Sequence, residues 1–132
     1  MLTEKNILIV EDEAMIAFDL EDVVRSRGAK AAVCLDLESA LRKAEADEFD
    51  AAILDYNLGG RTVLPVADAL QRKGIPFLFN TAMAEFENLS ARYNGAHVCR
   101  KPANEAELVD ILARMTRNRA PRSVADRSGK ES

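Results

Sequence analysis

The fold of this chain is indicated by one ten-residue stretch, which reads Ala51-Ala52-Ile53-Leu54-Asp55-Tyr56-Asn57-Leu58-Gly59-Gly60. Four consecutive uncharged residues, 51–54, predict a strand that is buried on both faces, as in a parallel sheet. Asp55 then stands at the carboxyl end of that strand, and this edge of an open α/β sheet is where ligands bind. An isolated aspartate is also common as the first residue of a turn. The other strands of the chain are needed to choose between these two interpretations.

Predicted strands and helices alternate along the whole chain. Apolar runs predict five strands, over residues 5–10, 30–35, 51–55, 75–80 and 96–99. Apolar residues at helical spacing predict five helices, which begin at Ala14, after Asp36, after Thr62, near residue 83 and after Asn104. This alternation predicts right-handed crossovers and a parallel sheet with helices on both faces. We therefore expect a doubly wound three-layer α/β sandwich. Periodicity does not order the strands, and for this fold class we expect the flavodoxin-like order 2-1-3-4-5.

Short polar residues and glycines mark the ends of the predicted helices. Asp36, Thr62 and Asn104 stand where an N-cap is expected, because their side-chain oxygens can accept a hydrogen bond from the first free N–H groups. Gly28 and Gly74 follow the last apolar position of the first and third helices, as glycine does at helix C-termini.

Size and composition limit the class of protein. The chain has 132 residues, which is enough for one domain with a single core. It has no run long enough to span a membrane and no signal-peptide pattern at its start, so we expect a cytoplasmic protein without membrane insertion. Cys34 and Cys99 lie in apolar strand-like runs without metal-ligand spacing, which predicts two buried free thiols.

The charge of the chain is divided unevenly. Residues 117–132 contain five basic and two acidic residues, a net charge of +3, which leaves −7 on residues 1–116. An acidic body argues against direct nucleic-acid binding, because phosphate contacts need a concentrated basic surface. We expect one domain over residues 1–117 and a basic, disordered tail over 118–132.

Polar side chains follow four of the five predicted strands, at the point where each strand ends. They are Glu11 with Asp12, Asp55, Thr81 and Lys101. Parallel strands bring these ends to one edge of the sheet. Neighbouring carboxylates repel one another unless a cation intervenes, and Mg²⁺ is the natural candidate because it is held by one or two carboxylates, waters and a phosphate oxygen.

The same residues supply the chemistry of phosphoryl transfer. The Asp55 carboxylate can attack a phosphoryl group as a nucleophile and form an aspartyl phosphate. The Lys101 ammonium would neutralise the phosphoryl oxygens, and the Thr81 hydroxyl would donate a hydrogen bond to one of them. Phosphoryl transfer depends chiefly on positioning and charge neutralisation, and this set of residues supplies both.

At these positions the sequence resembles the receiver domain of two-component response regulators, over about residues 5–116. The matching motifs are Ile-Val-Glu-Asp-Glu at 9–13, Leu-Asp-Tyr-Asn at 54–57, Thr-Ala at 81–82 and Lys-Pro at 101–102.

The resemblance implies a role for each matching residue. Asp55 would be the phosphoacceptor and Asp12 a direct metal ligand. Glu11 would act partly through water, and the backbone carbonyl of Asn57 would be a third ligand. The Lys101–Pro102 peptide bond would be cis.

The sequence departs from the family pattern in three places. Leu58-Gly59-Gly60 replaces the common Met-Pro and predicts a tighter turn, as in a subgroup of small receivers with Asn-Leu-Gly-Gly. Val98 stands three residues before the lysine, where the family has an aromatic side chain that moves when the threonine engages phosphate. Ala103 replaces a common phenylalanine. The usual coupling between Thr81 and an aromatic residue is therefore not expected in the same form.

The resemblance implies a stand-alone, chemotaxis-regulator-like receiver that takes phosphate from a histidine kinase or a histidine phosphotransfer protein. It would signal through an unknown output partner or a phosphorelay, and it could form a homodimer.

A phosphate-independent adaptor remains an alternative. So does an aspartyl-nucleophile phosphatase of the haloacid-dehalogenase type, although Asn57 stands where that class has an acid–base carboxylate. A dinucleotide-binding domain is disfavoured, because acids occupy the place of its glycine-rich loop.

Overall fold

The structure, a computed structural model, describes residues 2–81, 89, 91–93, 96–101 and 104–117. Within these residues the elements follow in the order β1 (Asn6–Val10), α1 (Ala14–Ser26), β2 (Lys30–Cys34), α2 (Leu37–Ala46), β3 (Ala51–Asp55), β4 (Asn57–Leu58), β5 (Arg61–Thr62), α3 (Leu64–Arg72), β6 (Phe77–Thr81), β7 (His97–Arg100) and α4 (Glu105–Thr116). Apart from the two short strands β4 and β5, the predicted alternation of strands and helices is confirmed in the described part of the chain.

Five strands form one parallel sheet in the order β2-β1-β3-β6-β7. This order is the predicted flavodoxin-like one, because β6 and β7 are the fourth and fifth strands of the sheet along the chain. β3 lies in the middle, with β1 on one side and β6 on the other. Since all five strands run in the same direction, their carboxyl ends share one edge.

The sheet is covered on both faces, which explains why its central strands β1, β3 and β6 are apolar except at their ends. Successive side chains of β1 point to opposite faces. Leu8 and Val10 pack into a core with α2 and α3, whereas Ile7 and Ile9 pack into a second core with α1 and α4. Every residue of β3 is buried. The prediction of a three-layer sandwich is therefore confirmed.

A two-stranded antiparallel hairpin, β4–β5, follows β3 and was not predicted. Its two turn residues are Gly59 and Gly60, with φ angles of 60° and 87°. Positive φ at both central residues matches the turn type whose twist suits a tight hairpin, and glycine adopts it without steric cost. The hairpin shows that Thr62 is not the predicted N-cap. Thr62 belongs to β5, and α3 begins after Val63, with Pro65 in its first turn.

The other predicted helix ends agree with the structure. The Asp36 side chain accepts a hydrogen bond from the Ser39 amide at 2.8 Å, and Asn104 caps α4 in the same manner. Gly28 and Gly74 have φ angles of 92° and 73° just beyond α1 and α3, as expected for glycines that end helices.

Strand limits differ from the predictions by one or two residues. β6 begins at Phe77 rather than residue 75 and includes Thr81, and β7 runs from His97 to Arg100. Ile75 is nonetheless buried, because an apolar residue in a loop can still pack against the core. Of the predicted helix near 83–93, the structure describes only residues 89 and 91–93, and 89, 91 and 92 are helical. Pro102, Ala103 and the tail over 118–132 lie outside the described residues.

Two further expectations can be compared with the structure. Cys34 and Cys99 are both buried free thiols, as predicted. None of the helices in the described part of the chain has the length and apolar character that a membrane crossing requires.

The cap of α4 gives a test of the fold. The Asn104 side chain accepts hydrogen bonds from the amides of Ala106 at 2.8 Å and Glu107 at 3.3 Å. Asn104→Ala leaves both amides without this acceptor, so we expect the free energy of unfolding to fall by about 1 kcal/mol. Asn104→Asp keeps the acceptor and is the matched control. Urea denaturation in which the alanine variant is as stable as the aspartate variant would contradict the cap.

Candidate functional site

The candidate site lies at the carboxyl edge of the parallel sheet, where four strands end. Glu11 and Asp12 follow β1, Asp55 is the last residue of β3, Thr81 is the last residue of β6, and Lys101 follows β7. Because β3 lies between β1 and β6, Asp55 has the other groups on either side of it. The predicted grouping of these strand ends is therefore what the topology produces.

Three carboxylates form the centre of the site. Glu11, Asp12 and Asp55 each offer one oxygen that lies within 4.8 Å of those of the other two. Glu11 and Asp55 are buried, at 1% and 5% exposure, whereas Asp12 is exposed. Two buried acids beside a third are electrostatically costly without a cation, so the donor set fits a hard divalent ion such as Mg²⁺.

The Lys101 ammonium partly neutralises this cluster. Its Nζ atom lies 3.0 Å from Oδ1 of Asp55 and 3.3 Å from Oε1 of Glu11. The backbone N–H of Lys101 donates to the carbonyl oxygen of Thr81 at 2.8 Å. This bond fixes the start of the lysine relative to the end of β6, so the side chain reaches the acids from a defined point.

Burial and charge shift the pKa values of Asp55 and Lys101. Burial raises the pKa of Asp55 to about 7, and the negative charge of Glu11 acts in the same direction, although the hydrogen bond from Lys101 opposes the rise. Burial by itself would lower the pKa of Lys101, but the hydrogen bond to Asp55 and the charges of Asp55 and Glu11 raise it above its ordinary value. Lys101 is therefore a cation at neutral pH, whereas Asp55 is poised between its two forms.

Backbone amides hold the acids from the outside of the cluster. The N–H of Glu13 donates to Oε2 of Glu11, and the N–H of Gly59 donates to Oδ2 of Asp12, each at 3.1 Å. The N–H of Gly60 donates to the side-chain oxygen of Asn57 at 3.0 Å. The sequence analysis missed these donors. The sequence contained one indication of the Gly59 donor. The family commonly has proline at this position, and proline has no N–H to donate, whereas glycine has one.

Asn80 is a second residue that the sequence analysis did not single out. It is buried, and its Oδ1 atom has no hydrogen-bond partner among the residues that the structure describes. Together with Lys101 it lines a cleft of about 510 Å³ between α1 and α4, whose other walls include Leu20 and Leu108. In the sequence, Asn80 could have been recognised as a polar residue that directly follows the apolar run 75–79.

The remaining predicted residues have the following places. Asn57 begins β4 and is exposed, and Thr81 is buried. Val98 is half-buried in β7 and packs against the core on the α2–α3 side, opposite Phe79 in the sheet register. No aromatic side chain occupies that position, so the departure noted in the sequence persists in the fold. The predicted cis bond before Pro102 lies outside the described residues.

Comparison with known proteins gives consistent matches. The family model for the response regulator receiver domain matches residues 7–113. The transcriptional activator protein PfeR of Pseudomonas aeruginosa is 33% identical over 117 residues, which is 84% of this chain. The chain spans only 38% of the length of PfeR.

Two solved structures illustrate the likeness in fold and site. The receiver domain of a sensor histidine kinase from Pseudomonas aeruginosa, which has a magnesium ion coordinated in its active-site cleft, is 26% identical with a TM-score of 0.75, over 86% of this chain and 98% of that one. The response regulator TrrA of Thermotoga maritima, solved in complex with Mg²⁺ and BeF, is 25% identical with a TM-score of 0.74, over 84% of this chain and 98% of that one. Sequence match, strand order and the grouping of strand-end residues agree, and the chain belongs to the family of response regulator receiver domains.

Proposed function

We propose that this receiver domain accepts a phosphoryl group on Asp55, in a Mg²⁺-dependent reaction, from the phosphohistidine of a histidine kinase or a histidine phosphotransfer protein. The observation that supports this most directly is the position of Asp55. It is buried at the end of the central strand, beside two other acids and 3.0 Å from the Lys101 ammonium. A carboxylate in this setting has both a site for a cation and a charge to stabilise incoming oxygens.

Three groups of this chain would hold the ion directly: the carboxylates of Asp12 and Asp55 and the backbone carbonyl of Asn57. Glu11 would contribute partly through water. The clustering of three acidic oxygens within 4.8 Å supports this set. When bound, Mg²⁺ supplies positive charge that offsets the cluster and orients the oxygens of the transferred group.

The protein groups then divide the work of the transfer. An oxygen of the ionised Asp55 forms a bond to phosphorus while the bond from phosphorus to the donor nitrogen breaks. The nitrogen takes up a proton from solvent, so the products are an aspartyl phosphate and a neutral imidazole. The Lys101 ammonium, already directed at Asp55, stabilises the charge on the phosphoryl oxygens. The Thr81 hydroxyl donates a hydrogen bond to one of them.

Asn57 supports acceptance of phosphate rather than catalytic turnover. A phosphatase with an aspartyl nucleophile needs an acid–base group near the leaving oxygen. Asn57 has no titratable proton, and its side-chain oxygen already accepts a hydrogen bond from Gly60. Output from the phosphorylated domain would come through binding of a partner protein or through relay of the phosphoryl group.

Intact-mass measurement after incubation with acetyl phosphate and Mg²⁺ tests the proposal. We expect one phosphoryl adduct on the wild-type chain and none on Asp55→Asn, because the amide is not a competent nucleophile. Asp47→Asn, at a half-buried position after α2 and away from the site, is the matched control and should be labelled like the wild type. An unlabelled wild type would favour the adaptor alternative, and continuous release of inorganic phosphate would favour the phosphatase.

Replacement of the lysine tests its role separately. Lys101→Gln removes the ammonium that contacts Asp55 and Glu11, so we expect the initial rate of labelling to fall by at least about tenfold. Lys43→Gln breaks only an exposed ion pair with Asp47 and should keep the wild-type rate. Equal rates in the two glutamine variants would remove Lys101 from the proposed mechanism.

The raised pKa of Asp55 predicts a pH effect on stability in the presence of EDTA. Folded Asp55 keeps its proton up to about pH 7, whereas the unfolded chain releases it near 3.8. Folding is therefore favoured by Asp55 at low pH, and this contribution is lost as the pH rises through about 7. Between pH 5 and 7.5 we expect the unfolding free energy of the wild type to fall relative to Asp55→Asn by about 1 to 4 kcal/mol. Parallel urea-denaturation profiles would contradict the shift.

A further inference from the structure

The β4–β5 hairpin places its turn directly against the acidic cluster. The N–H of Gly59 donates to Oδ2 of Asp12 across 47 residues of chain. The hairpin is itself held in place, because the N–H of Val63 donates to the carbonyl of Tyr56 at 2.8 Å and Arg61 forms an ion pair with Glu38 on α2. The Gly59 amide is therefore a positioned donor.

Each acid of the cluster has at least one oxygen held by a donor of the protein. Both oxygens of Glu11 are held, by the Glu13 amide and by Lys101. Oδ1 of Asp55 is held by Lys101, and Oδ2 of Asp12 is held by Gly59. Among the described residues, no hydrogen bond or ion pair holds Oδ1 of Asp12, so Asp12 has one oxygen left for an ion. Asp55 is in hydrogen-bond contact with both Lys101 and Glu11.

This arrangement discriminates between the two common hard cations. Ca²⁺ takes about six to eight oxygens and often binds both oxygens of one carboxylate, whereas Mg²⁺ takes six ligands in a strict octahedron and binds carboxylates through one oxygen. The Asp12 carboxylate has one oxygen that is already hydrogen-bonded, so it is suited to the single-oxygen coordination that Mg²⁺ uses. Loss of that hydrogen bond would free both oxygens for Ca²⁺.

We propose that the Gly59 amide is a positioning group of the metal site, which limits Asp12 to coordination through one oxygen and so favours Mg²⁺ over Ca²⁺. The inference rests on the proposed function, since it concerns the ion at that same site. It assigns to the glycine turn a chemical role in addition to its backbone conformation.

The test must remove the N–H and keep the turn. Gly59 has a φ of 60°, which L-proline cannot adopt but D-proline favours, and D-proline has no N–H. Leu58 before it is in an extended strand, which is the conformation that a residue preceding proline prefers. Replacement of Gly59 by D-alanine keeps the N–H at the same φ and is the matched control.

Chemical synthesis of the full 132-residue chain can introduce these residues, since Cys34 and Cys99 offer ligation points on either side of position 59. Dissociation constants for Mg²⁺ and Ca²⁺ would be measured by calorimetry at fixed ionic strength. We expect the wild type and the D-alanine chain to prefer Mg²⁺ and to have Ca²⁺/Mg²⁺ ratios of Kd within about threefold of each other. In the D-proline chain we expect that ratio to fall by about tenfold, as for loss of other groups that orient a metal ligand.

The outcomes separate the inference from the function on which it rests. A D-proline chain with the wild-type ratio overturns the inference, as does a D-alanine chain that loses as much selectivity or a wild type without preference for Mg²⁺. A wild type that is phosphorylated on Asp55 but fails this test leaves the proposed function intact. A wild type that binds no Mg²⁺ overturns both. If the D-proline chain does not fold, an ester in place of the Leu58–Gly59 amide removes the same N–H without a ring, and the same ratios apply.

Discussion

Electrostatic repulsion among Glu11, Asp12 and Asp55 is the constraint around which this protein is arranged. Two of these acids are buried, and their charges lie within a few ångströms of each other. Burial of like charges is unfavourable unless cations or hydrogen-bond donors offset it. Lys101 supplies one cation, and the amides of Glu13 and Gly59 supply donors. A divalent ion would complete the neutralisation, so binding of the ion would relieve the repulsion among these acids.

The parallel sheet is what makes such a cluster possible. Helices cover both faces, and the strands can therefore be apolar along their length and polar only where they emerge. A strand end has little freedom to move, since its backbone is hydrogen-bonded on both sides. Asp55 is consequently presented by the central strand of the sheet, while loops and the β4–β5 hairpin supply groups around it. This division matches the general requirement that reacting groups be held on rigid elements.

The departures from the family pattern concentrate beside the site. At position 98 a half-buried valine packs where the family has a mobile aromatic side chain, and after Asp55 a glycine hairpin replaces the usual proline turn. The first change alters how Thr81 could be linked to the surface of the domain. The second brings a backbone donor to Asp12. Both leave the acids, the threonine and the lysine in their strand-end positions, so the chemistry of the site is separable from the way its state is transmitted.

The sequence by itself determined the fold class, the caps of α2 and α4 and the set of strand-end residues, because periodicity and capping act over a few neighbouring residues. The strand order was an expectation for that fold class, and the pairing of the strands in the sheet decided it. It misassigned Thr62 as a cap, since the pairing of β4 with β5 overrides local preference there. Only the tertiary structure decided the contacts of Lys101, the raised pKa of Asp55 and the hydrogen bond from Gly59 to Asp12. Each depends on contacts between segments that are far apart in the chain. The burial of these side chains and the direction of their hydrogen bonds are set only when the segments pack together.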